Sequence, residues 1–178
     1  MAPERLGDVS IEGVHLFELT PHPDDRGRFQ EAFKKSWVPD APEMVQSSLS
    51  YSRAGVLRGL HFHKRQADYW TIARGACRVT LVDLRADSPT FRRIEQFEMS
   101  EDEPRGVFIP RLVAHGLYAI RDMTLCYLVT EEYDHTDPDE FGVAWDDPDL
   151  GIDWGGGEPV LSERDRSNPS LAEVLPTL

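Results

Sequence analysis

Two imidazoles and a guanidinium fall within six residues in the segment Arg58-Gly59-Leu60-His61-Phe62-His63. The segment reads as a strand, and period-two geometry predicts Arg58, Leu60 and Phe62 on one face with Gly59, His61 and His63 on the other. Two histidines sharing a strand face can serve as a proton-transfer base, as two metal ligands, or as both, because imidazole titrates near neutral pH and also ligates transition metals. The run Leu125-Cys126-Tyr127-Leu128-Val129 is nearly continuously apolar, as expected of a strand inside a sandwich or barrel.

The elements that must position these groups are short and β-rich. Strand-like segments run over 11–19, 56–62, 69–73, 78–84, 94–99, 107–109, 117–120 and 124–130, separated by Gly, Pro and Asp turn signals. The turn at Arg74-Gly75 predicts a hairpin between two of them, while Pro21 to Gly27 reads as a turn that ends regular structure. Val79 and Leu81 alternate with Thr80 and Val82, the pattern of a strand partly buried on both faces. Helical periodicity is confined to 31–37 and to one or two turns over 170–175. The chain therefore reads as mainly β, a jelly roll or related double-sheet barrel. The Asp-, Gly- and Pro-dense tail over 146–166 is expected to pack on that barrel, because Trp145, Ile152, Trp154 and Leu161 need burial.

With 178 residues and no shift of composition, the chain is expected to form one domain. Its net charge of −13 argues against nucleic acid or an anionic membrane as the main partner. A phosphorylated ligand would need arginines at contact distance, and Arg26, Arg53, Arg58 and Arg74 are available in the first half. No apolar run reaches the roughly 20 residues of a membrane span, and Met-Ala-Pro-Glu-Arg carries no signal-peptide core. Cys77 and Cys126 read as ordinary buried thiols, and the expected location is cytoplasmic.

Five ordered stretches resemble the dTDP-4-dehydrorhamnose 3,5-epimerase family: Val56 to Phe62, Asp83-Leu84-Arg85 with Ser88-Pro89-Thr90-Phe91, Ile109-Pro110 to Ala114-His115-Gly116, Trp145-Asp146-Asp147-Pro148 to Gly151-Ile152-Asp153-Trp154, and Leu161 to Asp165. The resemblance implies a cupin jelly roll, a homodimer, and metal-free epimerisation of a nucleotide-linked 4-keto-6-deoxyhexose by proton abstraction next to the ketone. It implies His61 as base, Asp165 as the carboxylate that orients it, and Tyr127 as the acid. It places His115 in the same cavity and Arg58 on the diphosphate. Arg26, Phe29 and Glu31 match a segment that contacts the nucleotide, and Gln46 lies in a partly matching Gln-x-Asn-x-Ser motif near the sugar or nucleotide.

Two departures alter the expected chemistry. Where the family has Gln-Ala-Lys, with lysine near the ketone oxygen, this chain has Gln66-Ala67-Asp68, and His63 replaces a common glutamine. Losing one such donor typically costs about 100- to 1000-fold in rate. His61, His63, Asp68 and His115 also resemble the spacing of metal-binding cupin motifs, which gives an alternative: a divalent transition metal on these four residues and a metal-dependent oxygenase or lyase. A metal could also replace the lysine as enolate stabiliser. Arg58-Gly59 followed by His61-Phe62-His63-Lys64 further resembles the sugar 3,4-ketoisomerases, a second alternative.

Overall fold

The computed structural model of the chain describes residues 5–6 and 9–178. In order the strands are β1 (Arg5–Leu6), β2 (His15–Glu18), β3 (Pro21–Asp24), β4 (Gly27–Gln30), β5 (Gln46–Ser52), β6 (Leu57–Phe62), β7 (Asp68–Arg74), β8 (Ala76–Asp83), β9 (Ile94–Ser100), β10 (Arg105–Ile109), β11 (Val113–Ala119), β12 (Met123–Val129) and β13 (Phe141–Gly142). Two short helices, α1 (Glu163–Arg166) and α2 (Leu171–Val174), close the chain with a 3-10 turn. One sheet has the order β1-β2-β10-β7-β12-β5, the other β13-β6-β11-β8-β9, and β3 and β4 form a separate hairpin. The result is the mainly β jelly roll that the strand pattern predicts, of the cupin type that the resemblance implies.

Alternation distributes the apolar side chains over three clusters. Between the sheets lie Leu16, Trp70, Ile72 and Val107 from one and Val79, Leu81 and Leu117 from the other. The outer face of the five-stranded sheet carries Leu57, Leu60, Phe62, Val82 and Ala114, covered by Trp154, Leu171 and Val174 of the tail, with Trp145, Ile152 and Leu161 packed beside them. The outer face of the six-stranded sheet carries Phe17, Tyr69 and Phe108 against Trp37 and Val38. Val79 and Val82 thus do face opposite sides, and the tail packs on the barrel as its aromatic content requires. Each such side chain contributes roughly 1.5–3 kcal/mol. Asp147 secures the tail by accepting the Leu171 N–H at 2.7 Å, and Ser162 and Ser170 cap the two helices.

Four expectations need correction. The β7–β8 segment is not a hairpin: β7 pairs with β10 and β12, whereas β8 pairs with β11 and β9. Gly75, with φ of +82° and Asp122 O only 2.1 Å from where a Cβ would sit, turns the chain from one sheet to the other. The Pro21 to Gly27 stretch does contain strands, because the prolines of β3 stand in a two-stranded ribbon where a missing donor is tolerated. Helix over 31–37 reduces to a 3-10 turn at Lys35–Trp37. Finally, β6 does not alternate strictly: Leu57, Leu60 and Phe62 share the outer cluster, while Arg58 and His61 line the interior cavity. Its pairing with β11 shifts register between His115 and Leu117, and Gly59 takes a φ of +130° at the break.

Candidate active site

The irregularity in β6 places His61 directly opposite His115 of β11, so the two imidazoles start from paired strands of one sheet. Across the interior, β7 contributes Asp68 and Trp70 and β12 contributes Tyr127, whose backbone partner is Trp70. With Ser50, Arg58, His63, Gln66 and Leu125 these residues line a cavity of about 260 Å³. Six of the eleven residues singled out in the sequence converge there: Arg58, His61, His63, Asp68, His115 and Tyr127.

His61 Nε2 lies 2.6 Å from Asp165 Oδ1, joining residues 104 positions apart. Asp165 is buried in the first turn of α1, and its Oδ2 accepts from Ser162 Oγ at 2.7 Å. Burial alone would raise its pKa. The hydrogen bonds from His61 and Ser162, the charge of His61 and the Gly59 N–H outweigh it and hold the carboxyl below its ordinary value. An ionised Asp165 accepts the Nε2 hydrogen, fixes the tautomer and leaves Nδ1 as the basic nitrogen, ready to be stabilised as imidazolium. Tyr127 is half-buried on the cavity wall. Arg58 donates to Ser52 Oγ at 2.9 Å and Tyr51 O at 3.0 Å, which holds its guanidinium at the mouth.

A second group sits beside this pair. His63, Asp68 and His115 are all buried and bring one ligand atom each to within 4.8 Å of the others. His115 Nδ1 donates to Val113 O at 3.0 Å, and burial pushes its pKa down to about 4, so it is neutral at physiological pH. His63 Nδ1 donates to the Asp139 carbonyl, while the Asp139 carboxylate accepts the N–H groups of Lys64, Arg65 and Gln66 at 2.8–3.0 Å. His61 stands outside this cluster, which corrects the four-residue metal set: its Nε2 is committed to Asp165.

The remaining candidates are placed elsewhere. Arg26 and Phe29 lie on the exposed β3–β4 hairpin, Arg26 bound to Asp24 and Phe29 66% exposed, and Glu31 pairs with Lys34 at 2.6 Å. Gln46 faces inward with Ser48 and accepts the Tyr133 N–H at 3.0 Å, outside the cavity lining. Residues not anticipated include Trp70 and Ser50, which period-two counting from Asp68 and Gln46 would have found. Arg164 and Glu140, paired at 2.8 Å over the mouth, have no local signal because they meet only through the folded tail.

A double-sheet jelly roll holding a His–Asp pair, a tyrosine and a mouth arginine inside its barrel defines a cupin-type enzyme equipped for proton transfer. A family model for dTDP-4-dehydrorhamnose 3,5-epimerase matches residues 8–173, and the chain belongs to that family of nucleotide-sugar epimerases. It is 39% identical over 175 residues to a dTDP-4-dehydrorhamnose 3,5-epimerase of Streptomyces griseus, covering 93% of this chain and 86% of that one. It is also 39% identical to a dTDP-4-dehydrorhamnose 3-epimerase of Streptomyces niveus, covering 97% and 89%. Among solved structures, a 4-keto-6-deoxy sugar epimerase from the novobiocin biosynthetic gene cluster of Streptomyces spheroides superposes with a TM-score of 0.88 at 34% identity, covering 99% and 94%. A 3'-monoepimerase of Streptomyces bikiniensis in complex with dTDP-quinovose superposes with a TM-score of 0.87 at 35% identity, covering 97% and 92%.

Proposed function

We propose that this chain epimerises a dTDP-linked 4-keto-6-deoxyhexose at C3, C5 or both. His61 removes the proton next to the ketone and Tyr127 returns one from the opposite face. The observation that carries this reading is the 2.6 Å contact between His61 and the buried, ionised Asp165 at the wall of a cavity that Tyr127 also lines. Proton abstraction turns the C–H electron pair into the enolate and leaves the proton on His61 Nδ1, where Asp165 offsets the new positive charge. Arg58 at the mouth takes the diphosphate, and Arg164 lines the same cavity. The similarity to both 3,5- and 3-epimerases supports the reaction class.

The proposal extends to a homodimer working in the cytoplasm. β5 is an edge strand whose exposed side carries Leu49 and Tyr51, a surface that a second copy would cover. The exposed Phe29 hairpin lies outside this chain's cavity, so its nucleotide contacts would be made in a partner's cavity. Cys77 is buried as expected and Cys126 only half-buried; both are free thiols, which suits a reducing compartment, and no helix among the described residues is long and apolar enough to cross a membrane. Incubation with dTDP-4-keto-6-deoxyglucose, followed by hydride reduction and sugar analysis, tests the activity. Sugars inverted at C3, or at C3 and C5, are expected. Recovery of only the uninverted sugars would overturn the proposal.

A further inference from the structure

We propose that His63, Asp68 and His115 form a binding site for one divalent transition-metal ion, which supplies the positive charge at the ketone oxygen. This role rests on the epimerase reading; the site itself rests on the geometry of three side chains.

Asp68 is 4% exposed, yet its carboxylate receives only neutral donors, Gln66 Nε2 at 2.7 Å on Oδ1 and Trp70 Nε1 at 3.1 Å on Oδ2. No lysine or arginine pairs with it among the described residues, and its nearest cationic candidates are His63 Nε2 at 3.9 Å and His115 Nε2 at 3.8 Å. Those separations exceed hydrogen-bond length, so the imidazoles do not satisfy the carboxylate directly. A buried carboxylate without a cation is costly.

The imidazoles are arranged as ligands rather than as partners of each other. Each donates its Nδ1–H to a backbone carbonyl, of Asp139 for His63 and of Val113 for His115, which leaves both Nε2 lone pairs directed to the carboxylate side. Two nitrogens and a carboxylate oxygen, all within 4.8 Å of one another, enclose a point that calls for a cation. Metal-binding histidines characteristically spend their second nitrogen on a carbonyl or carboxylate, and ligating carboxylates are hydrogen-bonded in turn; Gln66 and Trp70 do this for Asp68. Two imidazoles and one carboxylate with open positions suit Fe, Mn, Ni or Zn.

The cluster bridges the two sheets, with Asp68 on β7 and His115 on β11, and it opens into the cavity that holds His61 and Tyr127. The substitution that removes the family's lysine therefore comes with a second imidazole, His63, beside His115, and the pair recruits a replacement charge. His61 stays free to act as base because Asp165 occupies its Nε2.

The test titrates Co²⁺ into the chelator-treated full chain and follows its visible d–d absorption, a readout independent of turnover. One equivalent is expected, with affinity at least about 10-fold weaker in both Asp68→Asn and His63→Gln. Asn keeps the Trp70 hydrogen bond through its Oδ1 and can donate its Nδ2 to Gln66 Oε1 once that amide flips, and Gln can still donate to the Asp139 carbonyl, so circular dichroism should confirm that both variants fold. No binding, or binding unchanged in both folded variants, would overturn the site. Deuterium exchange at the sugar carbons, measured on the same chelated and Co²⁺-loaded samples, separates the two proposals. Exchange that rises about 100-fold or more with Co²⁺ supports both. Equal exchange in both samples overturns the metal's role alone. Co²⁺ binding without exchange in either sample overturns the epimerase reading and leaves the site standing.

Discussion

At the residue scale, the division of labour between His61 and Tyr127 makes opposite predictions for their variants. His61→Asn should lose proton abstraction and inversion together, by about 100-fold or more. Tyr127→Phe should also stop inversion, yet His61 would still remove the proton and return a solvent one to the same face. Proton NMR in deuterium oxide should then show label entering the uninverted sugar; loss of both exchange and inversion would instead make Tyr127 part of the abstraction step. The types of these residues were legible in the sequence, since His61, Asp165 and Tyr127 lie in motifs that resemble the family's. Their meeting was not. Asp165 reaches His61 across 104 positions, only because the Ser162-capped turn of α1 is held against β6.

At the element scale, the break in β6 carries the site. A Cβ on Gly59 would lie 2.6 Å from Gly116 Cα, and its φ of +130° is strained for any other residue. Gly59→Ala should therefore lower stability by about 1–3 kcal/mol and displace Arg58 and His61, which urea unfolding and activity of the surviving folded fraction would register. Simple alternation mispredicts this strand because it counts residues and cannot see a register shift set by β11. The same blindness produced the false β7–β8 hairpin. β5 went unread as a strand because Ser47, Ser48, Ser50 and Ser52 hide its alternation behind small polar side chains.

The turn after β8 is held by a buried carboxylate, Asp83. Burial would raise the pKa of Asp83, but donors from Arg85, Ser88 and Thr90 bring it down to about 2. An unfolded aspartate titrates near ~3.9, so Asp83 stabilises the fold above that pH, and the contribution disappears as pH falls toward 2. Asp83→Asn should cost about 2 kcal/mol at pH 7, with the difference from the native protein shrinking across the acid range. A difference that stays constant down to pH 2 would show that the charge of Asp83 is not the cause.

At the scale of the whole molecule, the jelly roll was legible from strand spacing, and the buried tail from its tryptophans. The exposed hairpin with Phe29 and the edge strand with Leu49 and Tyr51 make sense in a homodimer. Sedimentation at micromolar concentration should give twice the chain mass, and replacing Leu49 and Tyr51 by lysine should shift it toward the monomer. A native protein that sediments as a monomer would remove this explanation for the exposed surface.

On the proposed reading His61, oriented by Asp165, enolises a 4-keto sugar inside the barrel. Proton NMR in deuterium oxide of dTDP-4-keto-6-deoxyglucose, with the native chain and with His61→Asn, both supplied with one equivalent of divalent metal, tests it most directly. Loss of the hydrogen signal at C3, C5 or both with the native chain, slowed at least about 100-fold in the variant, is the predicted result. No exchange by the folded native chain, or exchange undiminished in His61→Asn, would contradict it.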